Sequence, residues 1–379
     1  MQDVITHESS PLRASLIFIG VFSVGLVIQM TLWMVFPIAD ENWWATDTAK
    51  MAAGTTLTPL DVTYVHPGTT IIYPMAELVR YGIDPKTSVH LVMAAFVAIC
   101  AAFASVIAYR LRPENLWWLA VALILVPDLR LLHGTPPSTA AALLTVVFVL
   151  LFFHAASMRR SGSYQLSTYL GICLGLLLAT RFDTGAFVLI TALPFLVYVL
   201  RSRTFIVLLT TTFVFIASNP YVWVDPIAYL ASIPKQMFAN KALVGIHILV
   251  PFLITFPFAI FSIFVSSVAM YTQYVRPKVN EMRISFEIYL WFLGMTGLFT
   301  MLLAPLSFHP IRYFMPFYLT WDILLPLWLL IIARQHLPLR SLPWLTERRG
   351  EWVIIGLIIL SIVIRFLIFL SADTREIIL

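Results

Sequence analysis

Charge is what this chain most lacks. Asp, Glu, Lys and Arg make up 11% of its 379 residues against 60% hydrophobic, with a mean hydropathy of +0.90. Soluble domains carry about 25% charged residues, so a water-soluble globular fold is excluded. Cysteine is nearly absent as well: Cys100 and Cys173 both lie inside apolar runs, which excludes a disulfide framework and leaves no compartment signal. Internal repeats, low-complexity tracts and polar stretches long enough for a soluble domain are missing too. The net charge of +5 does not point to nucleic acid, because the excess cations fall in short loops where membrane topology accounts for them.

What the chain has is apolar runs. A helix crossing a bilayer needs about 20 mostly apolar residues, and such stretches occur at 14–38, 88–109, 116–127, 137–156, 167–180, 184–200, 204–219, 248–271, 285–305, 313–332 and 352–371. The predicted fold class is therefore all-α, a polytopic transmembrane helical bundle of about eleven spans. Residues 1–379 form one membrane-embedded unit in this reading. The first run exceeds the 7–15 residue core of a signal peptide and is expected to anchor the chain. The runs 116–127, 167–180 and 184–200 are short, so they must tilt, borrow flanking residues or turn within protein.

Basic residues near span ends stay on the cytoplasmic side. With the amino terminus inside, fourteen Lys and Arg fall in inner segments and nine in outer ones, while the acids gather outside. Two outer connections are long, 39–87 and 218–247, and long ordered loops usually carry function. In the first, "HPGTTIIYPMAELVRYG" places Ile71, Ile72, Met75, Leu78 and Val79 at helical spacing, predicting an amphipathic helix at the outer surface. In the second, Asp225-Pro226 predicts a helix start, and its aromatic residues suit an interfacial belt.

The outer face also collects the reactive side chains. Asp40 and Glu41 stand side by side where the first span ends; neighbouring carboxylates at a low-dielectric boundary do not both ionise at ordinary pKa values, although a charged stop after a span would look the same. His309, Arg312 and Tyr313 open the tenth span, and Arg181, Asp183, Lys235 and Lys241 add charges on the same face. Arg and His donors suit a phosphate oxyanion; an isolated Arg there would simply snorkel. His66, His133, His247 and His309, with Asp40 or Glu41, could bind a divalent metal, yet no pair has the spacing of a metal motif, so no metal ligand and no cofactor is assigned. Asp128 lies in the sharp turn "DLRLLHGTPP", as a site acid or a satisfied turn residue. Asp322 and Arg365 fall inside spans and are predicted to pair.

Taken in order, "ADENWW", "HPGTTIIYP", "ATRFDTG", "NPYVWVDP" and "HPIRYFMPFYL" resemble the GT-C superfamily of polytopic glycosyltransferases, which includes protein O-mannosyltransferases and aminoarabinose transferases. The resemblance runs from about residue 14 to 332 and implies transfer of a sugar from a polyprenyl- or dolichyl-phosphate carrier to an acceptor on the non-cytoplasmic face. It implies a catalytic Asp at Asp40, completed by Glu41, and a lipid-phosphate site at Arg312 and Tyr313. His309, Lys235, Lys241 and Arg181 would assist, with His66, Asp128 and Asp183 lining the acceptor side. The partners expected are the lipid-linked donor, a lipid, glycan or protein acceptor, and membrane lipids, with no nucleic acid. The compact inner loops favour a bacterial plasma membrane. The rival readings are a lipid or polyprenyl-carrier transporter or flippase, and a noncatalytic envelope scaffold.

Overall fold

A computed structural model gives the arrangement of residues 10–36, 41–54, 69–113, 115–133, 135–157, 164–219, 221–229, 231, 261–264, 267, 291–298, 315–326 and 347–370. Among the described residues the chain is 91% helix with no strand. The helices are α1 (Pro11–Val35), α2 (Glu41–Ala52), α3 (Thr69–Arg80), α4 (Pro85–Leu111), α5 (Trp117–Leu125), α6 (Arg130–His133), α7 (Pro136–Ser157), α8 (Tyr164–Thr180), α9 (Phe182–Leu200), α10 (Thr204–Ser218), α11 (Tyr221–Val224) and α12 (Glu347–Leu370). Further helical pieces occupy 291–298 and 315–326. Among the described residues four segments are long and apolar enough to cross a membrane: Pro11–Val35, Pro85–Leu111, Pro136–Ala156 and Phe182–Ser218. The protein is membrane-embedded on this ground.

Local sequence sets the helix starts. Ser10 and Asp84 accept hydrogen bonds from Arg13 N (3.4 Å) and Thr87 N (3.1 Å), each followed by Pro at the first helical position, where a missing N–H costs nothing. α1 lays a stripe of Ala14, Ile17, Val21, Gly25, Gln29 and Trp33 on α4. Arg13 stacks over Tyr109, Gly25 faces Ala98, and Trp33 nears His90, so one numbering rises as the other falls. The pair is antiparallel, so α4 begins at the end of the bundle where α1 finishes.

The 37-residue apolar segment Phe182–Ser218 is not one rod. Gly171 of α8 meets Val207 and Thr210 of α10, and Gly175 meets Thr211 and Val214. Both numberings rise together, so α8 and α10 run parallel. α9 therefore runs back between them, and it does so by a turn at Arg201–Arg203 in which Arg201 takes a φ of +55°. α7 and α8 are antiparallel, with Leu144 O accepting from Cys173 and Ser138 meeting Arg181. In consequence α2 and α3, the α5–α7 turn, the α8–α9 turn and the described residues of 219–229 share one end of the bundle, here called the loop face. Arg13, Tyr109 and Arg201–Arg203 mark the other end.

α3 is amphipathic as its spacing predicts, but its apolar face lies on protein. Ile71, Ile72, Met75 and Ala76 are buried with Trp44 and Met51 of α2 and Val89, Met93 and Ala94 of α4. Ser88 donates to Met75 O (2.5 Å), Thr70 to Leu176 O (3.3 Å), and Arg80 to Ala52 O (3.2 Å) and Met51 O (3.3 Å). Hydropathy alone does not tell a lipid-facing stripe from a protein-facing one, which is why the surface position was expected.

The glycines of α8 carry a stability prediction. An added Cβ at Gly171 would lie 2.6 Å from Thr210 Cβ and 2.7 Å from Val207 O; at Gly175 it would lie 2.7 Å from Val214 Cβ and 2.8 Å from Thr211 O. A backbone carbonyl cannot rotate away. Overpacking of this kind costs about 1–3 kcal/mol per site, more than the roughly 1 kcal/mol gained in helix propensity. Gly171→Ala combined with Gly175→Ala should lower the thermal unfolding midpoint in detergent, while Gly20→Ala, which meets nothing within 4 Å, should hold or raise it. Equal midpoints for the two variants would refute the parallel α8–α10 contact.

Candidate functional site

Three sets of polar side chains stand at or just beneath the loop face, on an apolar floor of Trp33, Trp44, Ile71, Ile72, Met75, Leu129, Leu132 and Tyr229. The first lies where α2 begins. Glu41 opens α2 and faces α4, with its Oε1 3.8 Å from Lys86 Nζ and 3.5 Å from His90 Nε2. The indole of Trp33 packs 6.5 Å from the His90 ring, and Trp33 is itself held by Gln29 Oε1 at 2.7 Å. Asp47, about one and two-thirds turns further along α2, is buried and lies 3.8 Å from Lys50 Nζ. Asp40 falls outside the described residues, so its distance to Glu41 is not part of this geometry.

The second set ties distant parts of the chain together. Asp128 ends the turn after α5 and accepts from Arg130 N at 3.1 Å, which starts α6. The Arg130 guanidinium meets Asp128 through Nε (2.8 and 3.0 Å) and Nη2 (2.5 Å), and its Nη1 reaches Asp322 Oδ2 at 2.5 Å. Asp322 belongs to the helical piece 315–326 and is fully buried; next to it Trp117 Nε1 donates to Ile323 O at 3.0 Å. Burial opposes the Arg130 charge, but the carboxylates of Asp128 and Asp322 outweigh it, and the guanidinium pKa is raised. Asp322 thus takes Arg130 as a partner; the Arg365 side chain, its expected partner, lies outside the described residues.

The third set sits at the α8–α9 turn. One extended residue, Arg181, separates the two helices and turns its guanidinium inward to 1% exposure. Nε meets Asp183 Oδ1 at 3.1 Å and Nη1 meets Ser138 Oγ at 2.6 Å. Asp183 Oδ1 also accepts from Thr184 N at 2.6 Å. Above the turn, Phe182, Phe215 and Tyr229 form an aromatic group with centroids 5.9–6.3 Å apart, and burial pushes the Tyr229 phenol up to about 12.

Of the residues expected to form the site, Glu41, Arg181, Asp183 and Asp128 are described, and all belong to the loop-face end. Asp40, His66, Lys235, Lys241, His309, Arg312 and Tyr313 lie outside the described residues. Sequence reasoning passed over His90 and Arg130. His90 hides inside an apolar run, one and a third turns after Asp84-Pro85; only its position in the first turns of α4, facing the end of α1, could have marked it. Arg130 was read as one outer cation among several, although its spacing of two from Asp128 fits a local turn pair.

The arrangement can hold charge without water. Glu41, Asp47, Asp128, Asp183 and Asp322 each have a basic side chain beside them, and charge-assisted pairs of this kind offset part of the cost of burying a charge. Among the described residues no group of three or more His, Cys, Asp and Glu is placed to hold a metal ion. Glu41 with His90 is the pair nearest to that chemistry. No family model matches the chain, and no curated protein matches it significantly.

The Arg130 bridge yields a test. Removing one member of a buried ion pair costs about 3–5 kcal/mol, because the remaining charge stays buried. Arg130→Met should therefore lower the thermal midpoint sharply. Arg130→Lys should rescue it only in part, since an ammonium does not reproduce a fork that joins two carboxylates. A wild-type midpoint for Arg130→Met would show that the bridge contributes nothing to the fold.

Proposed function

We propose that this protein is a polytopic glycosyltransferase of the GT-C type, with about eleven spans, that moves a sugar from a polyprenyl-phosphate donor to an acceptor at the non-cytoplasmic face, in a bacterial plasma membrane. The observation that carries the reading is the gathering of Glu41, His90, Arg181, Asp183, Asp128 and Arg130 toward one end of an apolar bundle. A lipid-linked phosphate suits such a place, since its tail stays in hydrocarbon while its headgroup reaches charged side chains. The order of the short motifs along the chain supports the same reading.

In the proposed reaction the acceptor hydroxyl attacks the anomeric carbon and Asp40 takes its proton. The bond from that carbon to the phosphate oxygen breaks, and the lipid phosphate leaves with the electron pair. Inversion follows from the single displacement. Arg312 and Tyr313 hold the leaving phosphate, helped by His309, Lys235 and Lys241. Glu41 lies next to the base in sequence and is itself held by Lys86 and His90. Arg181 is enclosed with Asp183 and Ser138, so its contribution is the local field and the shape of the α8–α9 turn.

One observation favours the second reading, a transporter or flippase for a carrier lipid: the buried charges of Asp128, Arg130 and Asp322 tie early and late segments together, and intramembrane ion pairs often mark moving parts. Purified protein in lipid, given a panel of radiolabelled polyprenyl-phosphate sugars and a mixture of lipid, glycan and protein acceptors, decides between them. Turnover by the wild type is expected, with Asp40→Asn and Arg312→Ala each reduced about 10²–10⁴-fold at unchanged folding. Donor binding without turnover, unaffected by Asp40→Asn, would favour the carrier reading.

A further inference from the structure

The α8–α10 side of the bundle is short. α8 has 17 residues and α10 has 15, so at about 1.5 Å per residue they reach about 26 and 22 Å. α1 and α4, with 25 and 27 residues, reach about 37 and 40 Å. A hydrocarbon core is about 30 Å thick, leaving α10 about 8 Å too short to span it upright. Tilting makes the deficit worse.

Past Ser218 the described residues up to Tyr229 stay against the bundle. Asn219 is fully buried, and Val222 and Tyr229 pack beside Phe182 and Phe215. Asp225 Oδ1 accepts from Ala228 N at 2.8 Å, a cap that breaks the path into two short helical pieces, 221–224 and 226–229, folded across the end of α10. While Tyr229 turns in to 3% exposure, Trp223 and Ile227 turn out, to 64% and 79%. Along α10 itself Phe205, Leu209, Phe213 and Ile216 are exposed, as a lipid-facing helix requires. The exposed apolar surface therefore continues past the end of the helix.

We infer that residues 219–229 form an interfacial elbow whose Trp223 and Ile227 sink into the headgroup–acyl boundary of the bilayer, supplying the apolar height that α10 lacks. Bare in water, each side chain would leave its apolar surface hydrated. At the boundary both are accommodated, and Trp is the residue most favoured there. The occupant is lipid because the elbow continues a helix face already turned to lipid, and because the short helix beneath it brings that boundary down to its level. Trp43 on α2 and Tyr81 after α3 are exposed as well. This inference stands independently of the glycosyltransferase reading.

The test uses the full chain in phosphatidylcholine vesicles. Ile227→Cys or Trp223→Cys carries an environment-sensitive fluorophore, and because Cys100 and Cys173 are buried, wild type serves as the labelling blank. The expected emission is blue-shifted, strongly quenched by lipids bearing a nitroxide near the headgroup end of the acyl chain, and several-fold less quenched by iodide than the same label on a soluble thiol. Full iodide quenching with no effect of the nitroxide lipid would overturn the inference. Protection from both quenchers would overturn it equally, since protein, such as a second copy of the chain, would then cover the elbow. Because both side chains face outward, loss of folding is not expected, and an unchanged thermal midpoint checks it.

Discussion

Hydrocarbon offers no hydrogen bonds, so a polar group carried into this bundle is stable only beside another polar group of the chain. That constraint shapes most of what the structure does. Ser105, Thr145, Thr296 and Thr320 turn their hydroxyls back to the carbonyl four residues earlier, which lets a helix carry them without a partner helix. Trp321 then uses the Thr296 hydroxyl at 3.0 Å. Gln29 cannot close on itself in this way, so it bonds across to Val126 O and holds Trp33. In doing so it fixes α1 in rotation as well as position. The charged bridge of Asp128, Arg130 and Asp322 is the same rule at higher stakes.

Apolar burial does not by itself bring helices together in lipid, where the surroundings are as apolar as Leu; close approach through small residues does. α4 places Ala94, Ala98, Ala101, Ala102, Ala104 and Ala108 in the core, and the most apolar window of α7 is 89% buried. These two helices form the centre. α1, with 22% of its window buried, lies at the edge and touches the centre along one stripe. At the glycine seam of α8 the same principle brings α10 close enough for Thr211 to donate to Gly171 O at 3.2 Å. The loop face thus rests on a close-packed centre and on a short outer wall.

Those differences explain what could be read in advance. Continuous apolar runs announce a helix with little competition, most clearly where Ser-Pro or Asp-Pro opens them as in α1 and α4, and α1, α4 and α7–α10 overlie the expected stretches within a few residues. The period of α3 was legible because Ile71, Ile72 and Met75 repeat at helical spacing; its docking surface was not, since period says nothing about the partner. The long-range polar pairs were the least legible. Arg130 and Asp322 are 192 residues apart, and local pattern contains no term that links them. Adjacency of the last two spans predicts Arg365 as a partner of Asp322, and the Arg365 side chain lies outside the described residues. Asp40, Arg312 and the residues grouped with them lie outside the described residues, so for them the motifs remain the only source.

The pairing rule also bears on how a lipid phosphate would be met on the proposed reading. Arg130 is enclosed between two carboxylates, and Arg181 is enclosed with Asp183 and Ser138. Extracting either guanidinium to serve a ligand would leave a carboxylate buried without its cation, at a cost of several kcal/mol. A substrate phosphate would have to repay that cost before gaining anything. On the proposed reading the donor phosphate would therefore be met by other cations, and the motifs offer Lys235, Lys241, His309 and Arg312 for that role. The two enclosed arginines are then better understood as what holds the turn after α5, the α8–α9 turn and the 315–326 helix in fixed relation beneath the substrate.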